Sequence, residues 1–341
     1  MGNFPGLEPL LDRCLALAQL PTPLQRLPRL TDELGVECYV KRDDLTESVA
    51  SGNKIRKLEY LIHDAKEKGC DLLITCGGVQ SNHCRATAAV AARVGMACHL
   101  ILRGEEPEIP DGNYLIDCLL GATADFYTRE EFQRLPEIER ETATRFEGMG
   151  RVPYVIPMGG SNAMGSLGYI RMAGELRDIP EVFDDIYCAL GSGGTYAGLM
   201  VGLHHYGIPS RLHGIAVCDD VDYFKAEVTR ILHEFDEWYG LSFPDVHFTM
   251  NFDDRFVGRG YALNTPEEWK ELVRIARLEG LILDPVYTLK TFLGMIQQIR
   301  EGTVKKGSRA LFVHTGGHYG LFPKARELAP WLKGRGNGDT S

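Results

Sequence analysis

The chain has 341 residues, 44% hydrophobic and 25% charged, the proportions of a soluble globular protein with length for about two domains. Its 37 basic and 47 acidic side chains leave a net charge of −10, which argues against non-specific nucleic-acid binding. No Lys/Arg tract suits an anionic lipid surface, and the longest mainly apolar stretch, Ala88 to Leu102, is broken by Arg93 and His99 and too short to span a bilayer.

Residues 1–20 carry Glu8 and Asp12 where a signal peptide needs a basic start and a clean apolar run. Nine cysteines (Cys14, Cys38, Cys70, Cys76, Cys84, Cys98, Cys118, Cys188 and Cys218) are odd in number and form no C-x-x-C pair. Unpaired thiols in a reducing compartment are the simple reading, and a cytoplasmic protein is expected. Only Cys84, beside a Ser-Asn-His cluster, invites a further role.

Taken in chain order, Val36–Lys41 reads as a strand, Lys54–Lys68 as a helix and Leu72–Cys76 as a strand. Ser81–Val94 reads as a helix, Ala97–Leu102 as a strand and Asn113–Leu120 as a helix. The Arg- and Glu-rich segment Asp125–Val152 reads as a solvated helix. Ile186–Leu190 is a strand running into a glycine turn and the helical Tyr196–His205, and Arg211–Val217 and Leu311–His314 complete the strands. Alternation of this kind implies crossover connections and a mostly parallel sheet, so the fold class is α/β. The polar tail Gly334–Ser341 is expected to be disordered.

Five motifs carry chemistry. In Ser51-Gly52-Asn53-Lys54 a flexible turn places Lys54 in the first turn of a helix, where the helix-end dipole and burial favour the neutral amine that Schiff-base chemistry requires. An exposed lysine on a basic helix start is the plainer alternative. Thr75-Cys76-Gly77-Gly78-Val79-Gln80-Ser81-Asn82-His83 ends a strand, turns on two glycines and opens a helix, the position where parallel sheets bind ligands. Ser81 and Asn82 could equally be helix caps, and His83 a structural histidine. Gly191-Ser192-Gly193-Gly194-Thr195, between a strand and a helix, offers successive N–H groups and a helix N-terminus to an anion. It lacks the Gly-Lys-Ser/Thr ending of a nucleotide P-loop, and Tyr196 breaks a dinucleotide fingerprint, so a single phosphate suits it best. Leu281-Ile282-Leu283-Asp284-Pro285-Val286-Tyr287-Thr288 sets a phenol and a hydroxyl after an apolar strand, and His314-Thr315-Gly316-Gly317 ends another strand on a hydroxyl. Tyr261, in Gly258-Arg259-Gly260-Tyr261, is a loop phenol.

Together these motifs resemble the fold-type-II pyridoxal-phosphate (PLP) enzymes, the tryptophan synthase β-subunit-like group. The likeness is greatest to D-cysteine desulfhydrase and 1-aminocyclopropane-1-carboxylate (ACC) deaminase. It runs from Pro21-Thr-Pro-Leu and Val40-Lys-Arg-Asp-Asp-Leu through SGNKIRKLEY, GGVQSNHCRATA, Gly159-Gly-Ser-Asn, GSGGT and LDPVYT to HTGG, about 300 of the 341 residues. The resemblance implies two α/β domains with PLP between them: a large PLP-binding domain of residues 1–50 and 166–341, and a small inserted domain of residues 51–165. It also implies a homodimer and a small amino-acid substrate, and no metal ligand is assigned from the motifs.

By the same resemblance Lys54 would carry the cofactor as an imine and act as base, and Asn82 would bond its phenolic oxygen. Gly191, Ser192, Gly193, Gly194 and Thr195 would hold the phosphate, Tyr287 would stack on the ring, and Thr315 would face the pyridine nitrogen. Ser81, Asn82, His83, Tyr261, Thr288 and His318 would meet the substrate, with Ser81, Tyr261 and Tyr287 also counted as catalytic. The activity implied is β-elimination, D-cysteine giving pyruvate, sulfide and ammonia. ACC deaminases resemble one another in having Glu after this tyrosine, whereas here it is Thr288, as in D-cysteine desulfhydrases. ACC deaminase, elimination or β-replacement on another small amino acid such as cysteate or D-serine, and a non-catalytic PLP binder are the alternatives. The chain departs from bacterial desulfhydrases at Gly193-Gly194, at His318-Tyr319, and at Gly77-Gly78-Val79, which looks more like plant-type members.

Overall fold

The structure, a computed structural model, describes residue 4, residues 6–243 and residues 250–333. The tail Gly334–Ser341, expected to be disordered, lies outside the described residues. Two sheets organise the rest. The larger one comprises β1 (Leu24–Arg26), β2 (Glu37–Lys41), β7 (Asp185–Leu190), β8 (Arg211–Ala216), β9 (Phe252–Asp253) and β10 (Arg309–Val313), in the order β1-β2-β10-β7-β8-β9. Only the edge strand β1 runs antiparallel, with Leu24 opposite Lys41. The smaller sheet, β3 (Leu72–Gly78), β4 (Ala97–Arg103), β5 (Thr123–Tyr127) and β6 (Pro153–Val155), is parallel throughout in the order β5-β4-β3-β6. All four of its strands fall within the segment 51–165.

Apart from Leu281–Leu283, the strands read from sequence are present, with ends shifted by one or two residues, because each is a largely buried apolar run. In β10, Leu311 and Val313 face a core with the helices Ala163–Arg177, Gly194–His205 and Val221–Tyr239. Ala310 and Phe312 face the opposite core, with Pro266–Glu279 and Thr288–Arg300. In β3, Leu73 packs toward the helices Asn53–Glu67 and Asn82–Val94, while Leu72, Ile74 and Cys76 pack toward Leu135–Glu147.

Two expectations are corrected. Leu281–Leu283 is not a strand: Leu281 and Leu283 are buried, but their backbone joins no ladder. Asp125–Val152 is not one helix either, since Asp125 to Tyr127 complete β5 and the helix spans only Leu135–Glu147.

A buried ionic network fixes the helix that carries Lys54. Arg56, wholly enclosed, grips both oxygens of Asp43 at 2.8 Å and Glu175 Oε1 at 2.6 Å, and Lys41 Nζ reaches Glu175 Oε2 at 2.7 Å. The Tyr169 hydroxyl donates to Asp43 Oδ2 at 2.7 Å and the Thr22 hydroxyl to Oδ1 at 2.8 Å. Burial alone would raise the Asp43 carboxyl, but the Arg56 guanidinium, together with the hydrogen bonds from Tyr169 and Thr22, more than offsets it and holds the group below its usual range. The network ties the start of the helix Asn53–Glu67 to Ala163–Arg177 and to the turn after β2.

Candidate active site

The carboxyl ends of β3, β4, β7 and β10 open on one cavity of about 530 Å³, large enough for a cofactor and a small substrate. Lys54 enters it by a constrained turn. Gly52 has φ +104°, and a Cβ there would lie 2.5 Å from the Thr315 carbonyl oxygen, so the helix can start against the turn after β10 only with glycine. The Asn53 N–H then donates to that carbonyl at 3.1 Å.

The Lys54 amine donates to the Gly159 carbonyl at 3.3 Å. Burial draws it down from 10.5 to about 8, with the nearby Cys84 thiol pulling slightly the other way, so a neutral amine is accessible near neutral pH. One helical turn on, the Lys57 amine shares the Gly159 carbonyl at 3.3 Å and donates to Ser161 Oγ at 2.9 Å. Burial, then the charge on Lys54, hold it well below the ordinary lysine value.

The Gly191–Thr195 loop faces this pair. Gly193, at φ +78°, precedes the helix Gly194–His205. A Cβ on Gly191 would lie 2.8 Å from the Tyr287 ring, so only glycine lets the loop and that ring approach this closely. Asn53 Nδ2 donates to Thr195 Oγ1 at 3.1 Å, and Ser192 Oγ lies 2.8 Å from Ser161 Oγ. Gly194 is not on the cavity wall: its N–H is turned to the Ser192 carbonyl and to Ser161 Oγ.

Ser81 lines the cavity and also caps the helix, its Oγ accepting from the Cys84 N–H at 3.2 Å. The polarity of the Asn82 amide follows from a chain of bonds. Arg85 can only donate, and its Nε donates to Asn113 Oδ1 at 2.7 Å. Asn113 Nδ2 must therefore donate, and it does so to Asn82 Oδ1 at 3.1 Å and to the Gln80 carbonyl at 3.0 Å. The Asn82 NH2 group is left as the donor facing the cavity. Beside it, the Thr75 hydroxyl donates to the Ile156 carbonyl and so accepts from His83 Nε2 at 2.9 Å. Burial and the two lysines keep the His83 ring neutral, with a buried Nδ1 that has no partner among the described residues.

On the far wall the Tyr261 and Tyr287 hydroxyls meet at 2.5 Å. Burial pushes Tyr261 up to about 12 and Tyr287 higher still, so both stay protonated. Thr315 also lines the cavity. Thr288 and His318, expected to contact substrate, do not line this cavity. The Thr288 hydroxyl is buried and donates to Asp284 Oδ1 at 2.7 Å, closing the Asp-Pro-Val-Tyr turn in which Asp284 also accepts from the N–H groups of Val286 and Tyr287. His318 Nε2 donates to the Ile282 carbonyl at 3.0 Å. His318, His314 and Asp44 approach one another closely, but Arg42 grips both Asp44 oxygens and both imidazoles bond the Ile282 carbonyl. An ion there would have to displace all of these.

The motifs thus bring together Lys54, Ser81, Asn82, His83, Gly191, Ser192, Gly193, Thr195, Tyr261, Tyr287 and Thr315 on one cavity. Sequence reading did not single out Asn53, Lys57, Ser161, Asn113 or Arg103. Asn53 and Lys57 were signalled only by lying within the lysine motif.

The geometry has counterparts. The profile of the family described as pyridoxal-phosphate dependent enzyme matches residues 15–316. A Thermotoga maritima relative, provisionally named as an ACC deaminase, is 46% identical over 92% of this chain and 98% of its own length. The bifunctional D-cysteine desulfhydrase/ACC deaminase, mitochondrial, of Arabidopsis thaliana is 39% identical over 95% of this chain and 82% of its own. D-cysteine desulfhydrase of Salmonella paratyphi B is 40% identical over 94% and 96%. The crystal structure of an ACC deaminase homologue superposes with TM-score 0.88 at 38% identity, covering 96% of this chain and 99% of that one. The cofactor of the family is pyridoxal phosphate, and the residues fit it: a lysine amine held near neutrality, a glycine loop on the cavity wall that runs into a helix N-terminus, and an unused buried acceptor on His83. The chain belongs to the fold-type-II PLP-dependent enzymes, among the lyases of the D-cysteine desulfhydrase and ACC deaminase family.

Proposed function

We propose that the protein is a β-eliminating lyase of the D-cysteine desulfhydrase type, converting D-cysteine to pyruvate, sulfide and ammonia. The observation that carries this choice over ACC deaminase is the chemistry of the cavity wall. Among the described residues Asp219 alone brings a carboxylate to it, and position 288 turns a hydroxyl into Asp284 where ACC deaminases resemble one another in having Glu. ACC has no α-proton, so an amine that removes one cannot begin its breakdown.

Bound PLP supplies an electron sink that makes the Cα–H of an attached amino acid acidic. The chain's own residues do the rest. Lys54, freed on substrate binding, is the neutral amine that takes the Cα proton. Backbone N–H groups of the Gly191–Thr195 loop, Gly194 excepted, and the following helix N-terminus would hold the phosphate, with Lys57 behind them through Ser161. Asn82 would present its NH2 to the phenolic oxygen, and Tyr287 would stack on the ring. Thr315, uncharged, would face the pyridine nitrogen and would not hold a proton there as a carboxylate does, which would favour prompt expulsion of the β-substituent. Ser81 takes the substrate carboxylate, and the Tyr261–Tyr287 pair, protonated at neutral pH, supplies a proton to the leaving group.

Residues 51–165 form the small inserted domain and the remainder the large one in this reading, and a cytoplasmic homodimer is the form in which the enzyme works. Nine free cysteines suit that compartment. ACC deaminase is the second reading, favoured by the names of the Thermotoga and Arabidopsis relatives. Incubating the purified holoenzyme with D-cysteine, L-cysteine and ACC, and assaying sulfide and keto acids, decides between them. Sulfide and pyruvate from D-cysteine are expected; 2-oxobutanoate from ACC with no turnover of D-cysteine would reverse the order.

A further inference from the structure

Among the described residues three arginines, Arg103, Arg129 and Arg259, line the cavity against one carboxylate, that of Asp219, in a chain whose net charge is −10. Some other surface arginines find carboxylates, as Arg13 does in Glu67 and Arg255 in Glu301, and others bond backbone carbonyls, as Arg29 does at Leu278 and Arg277 at Leu332. These three have no carboxylate partner among the described residues. Arg103 is also the best fixed of them. It ends β4 in register with Gly78, beside the Gly77–Asn82 loop. Its guanidinium lies 5.6 Å from the Phe132 ring centre and 5.9 Å from that of Tyr261, and aromatic rings at these distances attract and orient a cation.

The anions that the proposed reaction already requires have other partners. The cofactor phosphate has the Gly191–Thr195 backbone, and the substrate carboxylate has Ser81 and the N-terminus of the helix Asn82–Val94. A neutral thiol needs no guanidinium. We propose that Arg103, assisted by Arg259 and Arg129, selects amino acids whose β-substituent is an oxyanion: a sulfonate, a sulfate ester or a phosphate ester. The inference rests on the elimination reading and names its substrate class. Lys54 takes the Cα proton and the Cα–H electron pair becomes the Cα–Cβ double bond. The Cβ–substituent bond breaks, and the group leaves with its pair as sulfite, sulfate or phosphate. Water then hydrolyses the released 2-aminoacrylate to pyruvate and ammonium. Arg103 neutralises the charge that grows on the departing oxyanion.

The test compares cysteate, serine O-sulfate and O-phosphoserine, in both enantiomers, with D-cysteine and the uncharged β-chloroalanine. Pyruvate is measured with holoenzyme and its Arg103→Met and Arg103→Lys variants. At least one oxyanionic substrate should surpass D-cysteine in kcat/KM. Arg103→Met should lower the ratio of kcat/KM for that substrate over β-chloroalanine roughly 10- to 100-fold, mainly through KM, and Arg103→Lys should restore part of it. Calorimetric binding of O-phosphoserine to the holoenzyme should weaken by the same factor in Arg103→Met, and this arm reads the inference whether or not turnover occurs. Elimination from D-cysteine with no preference for any oxyanion, or equal losses on charged and uncharged substrates, would overturn the inference and leave the lyase reading standing. Pyruvate from no substrate, with selective O-phosphoserine binding intact, would do the reverse.

Discussion

Replacing Lys54 with methionine should stabilise the cofactor-free protein at neutral pH. Burial brings the Lys54 amine from 10.5 to about 8, and at about 1.4 kcal/mol per pH unit the enclosed cation costs at most ~3 kcal/mol. The amine borders a water-accessible cavity, so screening trims the cost to ~1–2 kcal/mol. The sign follows from proton counting. The unfolded chain keeps this proton up to about 10.5, whereas the folded chain releases it near 8, so between these values the unfolded state binds more protons and stability rises with pH. Below pH 8 the whole cost is present. Lys57 contributes in the same direction, since removing the charge at position 54 also relieves one cause of its depression. Methionine keeps the length of the stem and removes the charge. Urea unfolding of the apo wild type and Lys54→Met at pH 7 and pH 10 should show the variant ahead at pH 7 and the gap closing at pH 10. Equal midpoints at pH 7, or a gap that does not change with pH, would refute the reasoning.

Asn113→Leu should cost ~1–3 kcal/mol of stability, because Arg85 Nε loses a buried acceptor. It should also loosen PLP by freeing the Asn82 amide, read by equilibrium dialysis against a merely destabilised control. Tyr261→Phe should lower turnover by roughly 10²- to 10⁴-fold, the range of a lost proton donor, while the visible absorbance of the bound cofactor persists. Arg56→Met should cost ~3–5 kcal/mol in thermal or urea unfolding, since it strands Asp43 and part of Glu175 as buried unpaired charge.

What was legible in the sequence is what local chemistry decides alone. Runs buried on both faces, such as Ile186–Leu190, announce strands, and glycine turns directly after them announce a ligand edge. The apolar run Leu281–Leu283 has the same signature without a partner strand, because a buried loop and a buried strand share composition and differ only in what lies beside them. Thr288 was misplaced for a related reason: beside Asp284 its hydroxyl finds a turn bond 2.7 Å away and points from the cavity. The helix Ala163–Arg177 escaped reading because it is buried over most of its surface and carries only a weak amphipathic stripe. Lys57, Asn113 and Arg103 were illegible as site residues, since each matters through a partner distant in sequence: Ser161, Asn82 and Tyr261. The lysine, asparagine and glycine-loop motifs were legible because their spacing carries the chemistry.

The claim beneath this account is that the amine at position 54, and not its neighbour one turn on at position 57, bears the cofactor. Reducing the holoenzyme with borohydride and sequencing its peptides by mass spectrometry tests it most directly. A reduced pyridoxyl group on Lys54, with Lys57 unmodified, is the result expected; the adduct on Lys57, or on neither lysine, would contradict it.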